Sequence, residues 1–249
     1  MYKSRRNWIN LIGSNKRQVA ILIDPEKVKL DESLEILLRN IESAGVNYIF
    51  VGGSTVSAQQ QASCLEKVRS HSKLPIVIFP GSPEQINEDA DALLFLNLIS
   101  GRNPDYLIGH HVNAAPKLKD SSLEIIPTAY ILVDGGKETT VQKISRTQGL
   151  NLSDTEQAIN TVLAGVMMGN LLVYLDAGSG AISTVPVSWI YSLSNLIEVP
   201  IVVGGGIRSI EQIDAYFNAG AHLVVIGNHV ESNPDFLLEL ASFLVSRED

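Results

Sequence analysis

A chain of 249 residues with a formal net charge of −8 is long enough for one large α/β domain or two small ones. Its acidic balance excludes a nucleic-acid footprint, which needs clustered Lys and Arg; the one basic cluster, Lys3, Arg5 and Arg6, reads as a solvated start to the chain. The single cysteine, Cys64, excludes an intrachain disulfide and fits a reducing compartment.

The opening stretch MYKSRRNWINLIGSN lacks the long apolar core of a signal peptide. A first strand is predicted over residues 18–24, followed by helical spacing over 31–45 that ends in a glycine. A second strand covers 47–54, and the helix after it, 56–72, carries Cys64 as a buried structural thiol. Strand three is 74–82 and strand four 91–98; the eight residues between them, PEQINEDA, are too few for a barrel helix with its connections. A helix over 103–118 contains His110 and His111, read as surface or interface residues rather than ligands. Strand five is 124–135, and a helix over 153–169 opens with a capping pattern from Ser153 to Glu156. The most apolar region, 158–175, is split by Gly169 and Asn170 into a helix end and a strand start. It therefore falls short of the about twenty unbroken apolar residues that a membrane span needs. Strand six is 171–180, strand seven 199–206 and strand eight 222–228, with helices over 186–197, 209–220 and 234–246. A cytoplasmic protein with no integral membrane segment is expected.

Continuous apolar strands that alternate with helices indicate a parallel sheet covered on both faces. Eight such units in this length predict an α/β fold, a single (β/α)8 TIM barrel over residues 1–249 with the third helix missing or reduced. A doubly wound open sheet fits less well, because no strand reads as an edge. The missing helix should open a slot in the outer ring beside Leu93 to Leu98, and Ala114 or Ala115 on the next helix should face it.

Catalytic groups of this fold gather at the C-terminal ends of its strands. Glycines concentrate there after strands six, seven and eight, as Gly178 and Gly180, Gly204 to Gly206, and Gly227 beside Asn228. A glycine lets a ligand approach backbone N–H groups closely, and a helix start beyond it favours an anion. The loops after strands seven and eight are the usual phosphate site of such barrels, so one phosphate cradle is expected; tight strand-to-helix turns are the alternative. Asp24, ending strand one, either caps its loop or holds Mg2+, which takes oxygen ligands. Ser54 ends the neighbouring strand, and no HExxH or Cys-His spacing points to zinc. Asp176 is an inward carboxylate beside the cradle, able to orient or deprotonate a substrate hydroxyl. Tyr174 shares its face, as a phosphate donor or as a barrel-core aromatic.

The segments ILIDPEK, YIFVGGS, NPDYLIGHH, YLDAGSGA, IVVGGGIR and VVIGN, in that order and spacing, resemble the geranylgeranylglyceryl phosphate synthase family over almost the whole chain, most closely its bacterial branch of polyprenylglyceryl phosphate synthases. The resemblance implies transfer of a polyprenyl group from its diphosphate to the sn-3 hydroxyl of sn-glycerol 1-phosphate, with Mg2+, by a homo-oligomer, forming an ether-lipid precursor. It implies metal binding by Asp24 and Ser54, and glycerol-phosphate binding by Tyr174, Leu175, Asp176, Ala177, Gly178, Ser179, Gly180, Gly205, Gly206, Gly227 and Asn228. Asp176 is the expected base. Two positions depart from the pattern. Asp176 stands where many relatives have glutamate, and Leu22 where some bacterial relatives have a lysine, so no phosphate contact is carried over from the first strand. Two rivals share the glycine loops: a sugar-phosphate isomerase or lyase barrel, which needs a second acid/base group and no apolar groove, and a non-catalytic phosphate-ligand binding protein.

Overall fold

A computed structural model describes residues 7–14, 17–233 and 235–246; the basic cluster Lys3, Arg5 and Arg6 lies outside them, as does Pro234. Helix α1 (Asn7–Ser14) precedes β1 (Gln18–Ile23), α2 (Glu32–Ser43), β2 (Tyr48–Val51), α3 (Ala58–His71) and β3 (Ile76–Ile78). A lone 3-10 turn, Pro83–Gln85, connects β3 to β4 (Ala92–Leu98). One π-helical turn, Asp105–Gly109, leads into α4 (His110–Leu118), followed by β5 (Glu124–Leu132), α5 (Thr140–Ser145), α6 (Thr155–Met167) and β6 (Leu172–Asp176). The chain continues through α7 (Val187–Ser194), β7 (Ile201–Gly204), α8 (Ile210–Ala219), β8 (Leu223–Ile226), α9 (Asn228–Ser232) and α10 (Phe236–Val245).

The eight strands pair in parallel in sequence order, and β1 also pairs with β8, closing the barrel. The strands are mainly apolar on both faces because both faces are largely buried. In β2, Tyr48 and Phe50 point into the barrel, while Ile49 and Val51 pack under the helices. In β6 the same period of two sends Leu172 and Tyr174 inward and Val173 and Leu175 outward. Ile9 and Ile12 of α1 join the interior cluster. The Ile9 N–H donates to Glu124 Oε1 at 3.0 Å, at the start of β5. Helix α1 therefore closes the end of the barrel opposite the strand termini that carry chemistry.

Helix starts follow local capping chemistry. Ser57, Thr139 and Ser209 each form a capping box with the Gln three residues on, at α3, α5 and α8. The expected cap at Ser153 is corrected by one residue. Asp154 accepts from the Gln157 N–H at 3.0 Å, whereas the Ser153 hydroxyl turns back to Asn151 Oδ1 at 2.9 Å. A carboxylate outcompetes a hydroxyl for a helix N-terminus because its charge also meets the helix dipole. Among the described residues, no helix is long and apolar enough to cross a membrane.

Candidate active site

The register brings three loops to one level. Asp176 lies opposite Gly204, and Gly204 opposite Val225, two residues before Gly227. The segments after β6, β7 and β8 thus line one polar cavity, which includes Gly178, Ser179, Gly180, Gly205, Gly206, Gly227 and Asn228. The glycines serve two different needs. A Cβ on Gly204 would sit 2.6 Å from the Tyr174 hydroxyl. One on Gly205, whose φ is +85°, would sit 2.4 Å from the Gly178 nitrogen and 2.6 Å from Asp176 Oδ1. Those two glycines let the β7 loop lie directly on the β6 loop. Gly227 has no such neighbour: its Cβ would meet only Leu22, at 3.8 Å. What the absent side chain leaves open there is the cavity itself.

Asp176 is buried beneath this cradle. Its Oδ1 accepts the Gly178 N–H at 2.7 Å, and its Oδ2 accepts the Tyr130 hydroxyl at 2.7 Å. Burial raises its carboxyl above the usual carboxylate range, and the Tyr130 and Gly178 donors oppose that rise in part. Burial, followed by the adjacent Asp176 charge, pushes the Tyr130 and Tyr174 hydroxyls well above their ordinary range. Both tyrosines are therefore protonated donors. Tyr174 stacks on Phe79 with ring centroids 5.4 Å apart and meets Tyr130 edge-on at 5.7 Å. It is both a core aromatic and a wall of the polar cavity. Leu175 and Ala177, also expected in the cradle, turn their side chains into the outer core. The Ala177 N–H is occupied by Gly204 O at 3.1 Å.

Asp24 lies across the barrel mouth from Asp176 and lines the same cavity as Ser54. It caps its own loop, as one reading expected: Oδ1 accepts the Glu26 N–H at 3.1 Å, and its backbone O accepts the Lys27 N–H at 2.9 Å. Its Oδ2 pairs with Lys27 Nζ at 2.7 Å. Capping and metal binding are compatible, because each carboxylate oxygen has two lone pairs. The buried Gln85, from the turn that replaces the barrel's third helix, holds the β2 loop from behind. It donates to Gly53 O at 3.0 Å and Val56 O at 2.7 Å, and accepts from the Gly81 N–H. Among the described residues, no three His, Cys, Asp or Glu side chains cluster. The donor set at this end is oxygen only: Asp24 and Ser54, with Glu26 and Thr55, whose side chains bond each other, lining the same cavity. It fits a hard divalent cation that keeps waters and takes phosphate oxygens, as Mg2+ does.

A second cavity opens beside the first, through the gap in the helix ring. Its walls are apolar, with Phe79 and Ile86 on one side, Leu93 and Leu96 at its back, and Tyr106 and Ala114 from the π-turn and α4. Ala114 lines it, while Ala115 is exposed and is not part of the lining. His110 and His111, expected at a surface or interface, line this groove instead. The His111 ring meets Phe95 edge-on at 4.4 Å, and burial lowers its pKa, which keeps it neutral. Gly53, Ser54, Phe79 and Val141 belong to both cavities.

The strand-end reading missed Lys27, Gln85, Tyr130 and the whole of α5. Helix α5 was signalled by the Thr139–Gln142 capping box. Lys27 stood in plain view three residues after Asp24. The inward face of β5 carries Tyr130, and the β5–β6 register, with Tyr130 opposite Tyr174, brings it to Asp176.

The sequence profile of the PcrB family matches residues 13–242. The chain is 46% identical over 223 residues to the geranylgeranylglyceryl phosphate synthase of Flavobacterium johnsoniae, covering 90% of this chain and 91% of that protein. It is 45% identical over 218 residues to the protein of the same name from Zunongwangia profunda, covering 88% and 92%. A crystal structure of (S)-3-O-geranylgeranylglyceryl phosphate synthase from Thermoplasma acidophilum, in complex with substrate sn-glycerol-1-phosphate, superposes with a TM-score of 0.89 at 29% identity over 98% of each chain.

Proposed function

The chain belongs to the PcrB family, and from that membership we propose that it is a prenyltransferase of the geranylgeranylglyceryl phosphate synthase type. It joins a polyprenyl group, geranylgeranyl as the first candidate, from its diphosphate to the sn-3 hydroxyl of sn-glycerol 1-phosphate. The observation that carries this reading is the pairing of two unlike cavities. A polar cradle suits a small phosphorylated alcohol, an apolar groove suits an isoprenoid tail, and Ser54 and Gly53 line both. A sugar-phosphate isomerase would have no use for the groove.

The residues divide the work. Backbone N–H groups of the glycine loops and the Asn228 amide hold the acceptor's phosphate, leaving its free hydroxyl toward Asp176. Tyr130 and Gly178 fix the orientation of that carboxylate. As the allylic C–O bond breaks, the diphosphate departs with the electron pair. The acceptor oxygen forms the new C–O bond, and its proton passes to Asp176. Asp24 and Ser54 would hold Mg2+ at the junction, where the ion supplies charge neutralisation to the leaving diphosphate. The groove walls keep the reacting carbon away from water, and the cradle keeps the hydroxyl beside it.

The test is incubation of the protein with radiolabelled sn-glycerol 1-phosphate and geranylgeranyl diphosphate, with and without EDTA. A labelled ether extractable into organic solvent is expected only without EDTA. No product from any prenyl diphosphate would overturn the reading, and product undiminished by EDTA would remove the metal from it.

A further inference from the structure

We infer that Lys27 is the cation that recognises the acceptor's phosphate, and that it leaves Asp24 to do so. The inference rests on the proposed reading of the cradle as the glycerol-phosphate site. Lys27 follows β1, and its ammonium reaches over the barrel mouth to the loops after the neighbouring β8 and after β6. Nζ donates to Ser179 Oγ at 3.3 Å and to Asn228 Oδ1 at 3.1 Å, side chains from the loops after β6 and β8. Those two residues also bond each other, Asn228 Nδ2 to Ser179 Oγ at 2.8 Å. The third contact is the ion pair with Asp24 Oδ2 at 2.7 Å. An ammonium has three donors, and each has one of these partners.

The surroundings make the charge matter. The cradle offers a phosphate neutral backbone donors, and its one deeply buried charge is the carboxylate of Asp176. The position on β1 from which a lysine could have reached inward is Leu22, which lines the same cavity. Three other cations line the cavity: Arg208 donates to Ala181 O at 2.7 Å, Lys143 pairs with Glu138 at 3.5 Å, and Lys137 stands on the segment between β5 and α5. Lys27 is the one whose ammonium touches the cradle's own side chains. Phosphate oxygens are stronger acceptors than a hydroxyl or an amide, and hydrogen bonds between charged partners are shorter and stronger than neutral ones. A phosphate in the cradle therefore draws the ammonium off Ser179 and Asn228.

Asp24 then becomes the variable partner. Lys27 and a divalent cation compete for one carboxylate oxygen. A cation bound at Asp24 repels the ammonium toward the cradle, and a phosphate in the cradle withdraws the ammonium from Asp24. The two sites are thereby coupled with positive sign, and the coupling is reciprocal.

Isothermal titration of sn-glycerol 1-phosphate, without prenyl donor, tests this in the wild type, Lys27→Gln, Lys27→Arg and Lys143→Gln, each with and without saturating Mg2+. Loss of a charge-assisted contact should weaken Lys27→Gln by about ten- to a hundredfold. Lys27→Arg should stay within a few-fold of wild type and Lys143→Gln should match it, which separates this site from a general loss of positive charge. Added Mg2+ should tighten wild-type binding more than it tightens Lys27→Gln. Equal affinity in the wild type and Lys27→Gln would overturn the recognition role, and an equal response to Mg2+ would overturn the exchange with Asp24. A wild type that does not bind sn-glycerol 1-phosphate would sink the cradle reading and this inference together.

Discussion

The cradle and the groove lie side by side at one barrel mouth and are built on opposite principles. The cradle is made of backbone: glycines whose places are dictated by how the β7 loop rests on Tyr174, Asp176 and Gly178. The groove is made of side chains around a gap, where a 3-10 turn stands in for the barrel's third helix. A small, doubly charged group must be met by fixed dipoles at fixed distances, so its site tolerates little change. An isoprenoid tail is bound by buried area, about 0.8 kcal/mol per buried CH2, so its site can be lengthened or shortened by degrees. Substitutions on the cradle side should act steeply, and those on the groove side in a graded way.

The steepest effect is expected at Asp176. Asp176→Asn should lower turnover by about a hundred- to ten-thousandfold while leaving prenyl-diphosphate affinity nearly unchanged, as steady-state kinetics with each substrate in turn would show. Burial raises this carboxyl in the folded protein, so its protonated form contributes stability below the unfolded value. That stability is lost as pH rises through the folded value. At neutral pH the Asn variant should therefore melt no lower than the wild type. The same titration gives the wild-type rate an acidic limb. Tyr130 lowers the carboxyl by donating to it, so Tyr130→Phe should move that limb to higher pH. Full turnover in Asp176→Asn, or a limb unmoved in Tyr130→Phe, would break the assignment of the base.

The junction should respond next. Asp24→Asn keeps the shape and removes the charge, and activity at limiting Mg2+ should fall by about a hundredfold. Glycerol-phosphate affinity should be no weaker, because Lys27 is released toward the cradle. An unaltered Mg2+ requirement would leave Asp24 as a loop cap only.

The groove should give the mildest change and the sharpest contrast. Ala114→Trp places a plug in the slot, while Ala115→Trp adds bulk on the exposed face of α4. Assayed with a series of prenyl diphosphates from short to long, Ala114→Trp should lose the long donors and keep the short ones. Ala115→Trp should keep the wild-type profile. If both variants keep it, the tail does not run along α4.

Much of this was legible in the chain itself. Each of the eight strands falls within its predicted range, because a strand buried on both faces must be apolar throughout. The eight residues PEQINEDA announced the missing helix by their number alone. Glycines after strands six, seven and eight line one polar cavity, although Gly204 and Gly205 are required by loop packing. Period-two alternation, followed through β6, already separates Tyr174 and Asp176 from Leu175 and Ala177. Asp24 was read as either a cap or a ligand; the structure shows the cap at Oδ1, with Oδ2 paired to Lys27.

By itself the sequence determined the barrel, the gap in its ring and the strand ends where chemistry gathers, because periodicity, loop length and glycine placement are local properties that a chain carries in its order of residues. Only the tertiary structure decided that Tyr130 orients Asp176 and that Gln85 braces the Gly53–Ser54 turn. It also decided that Lys27 reaches from the loop after β1 to Ser179 and Asn228, which lie 152 and 201 residues away. The first two follow from the pairing of neighbouring strands, while the Lys27 contacts depend on closure: pairing β1 with β8 turns the two ends of the sheet into neighbours, and no spacing along the chain records which side chains then meet.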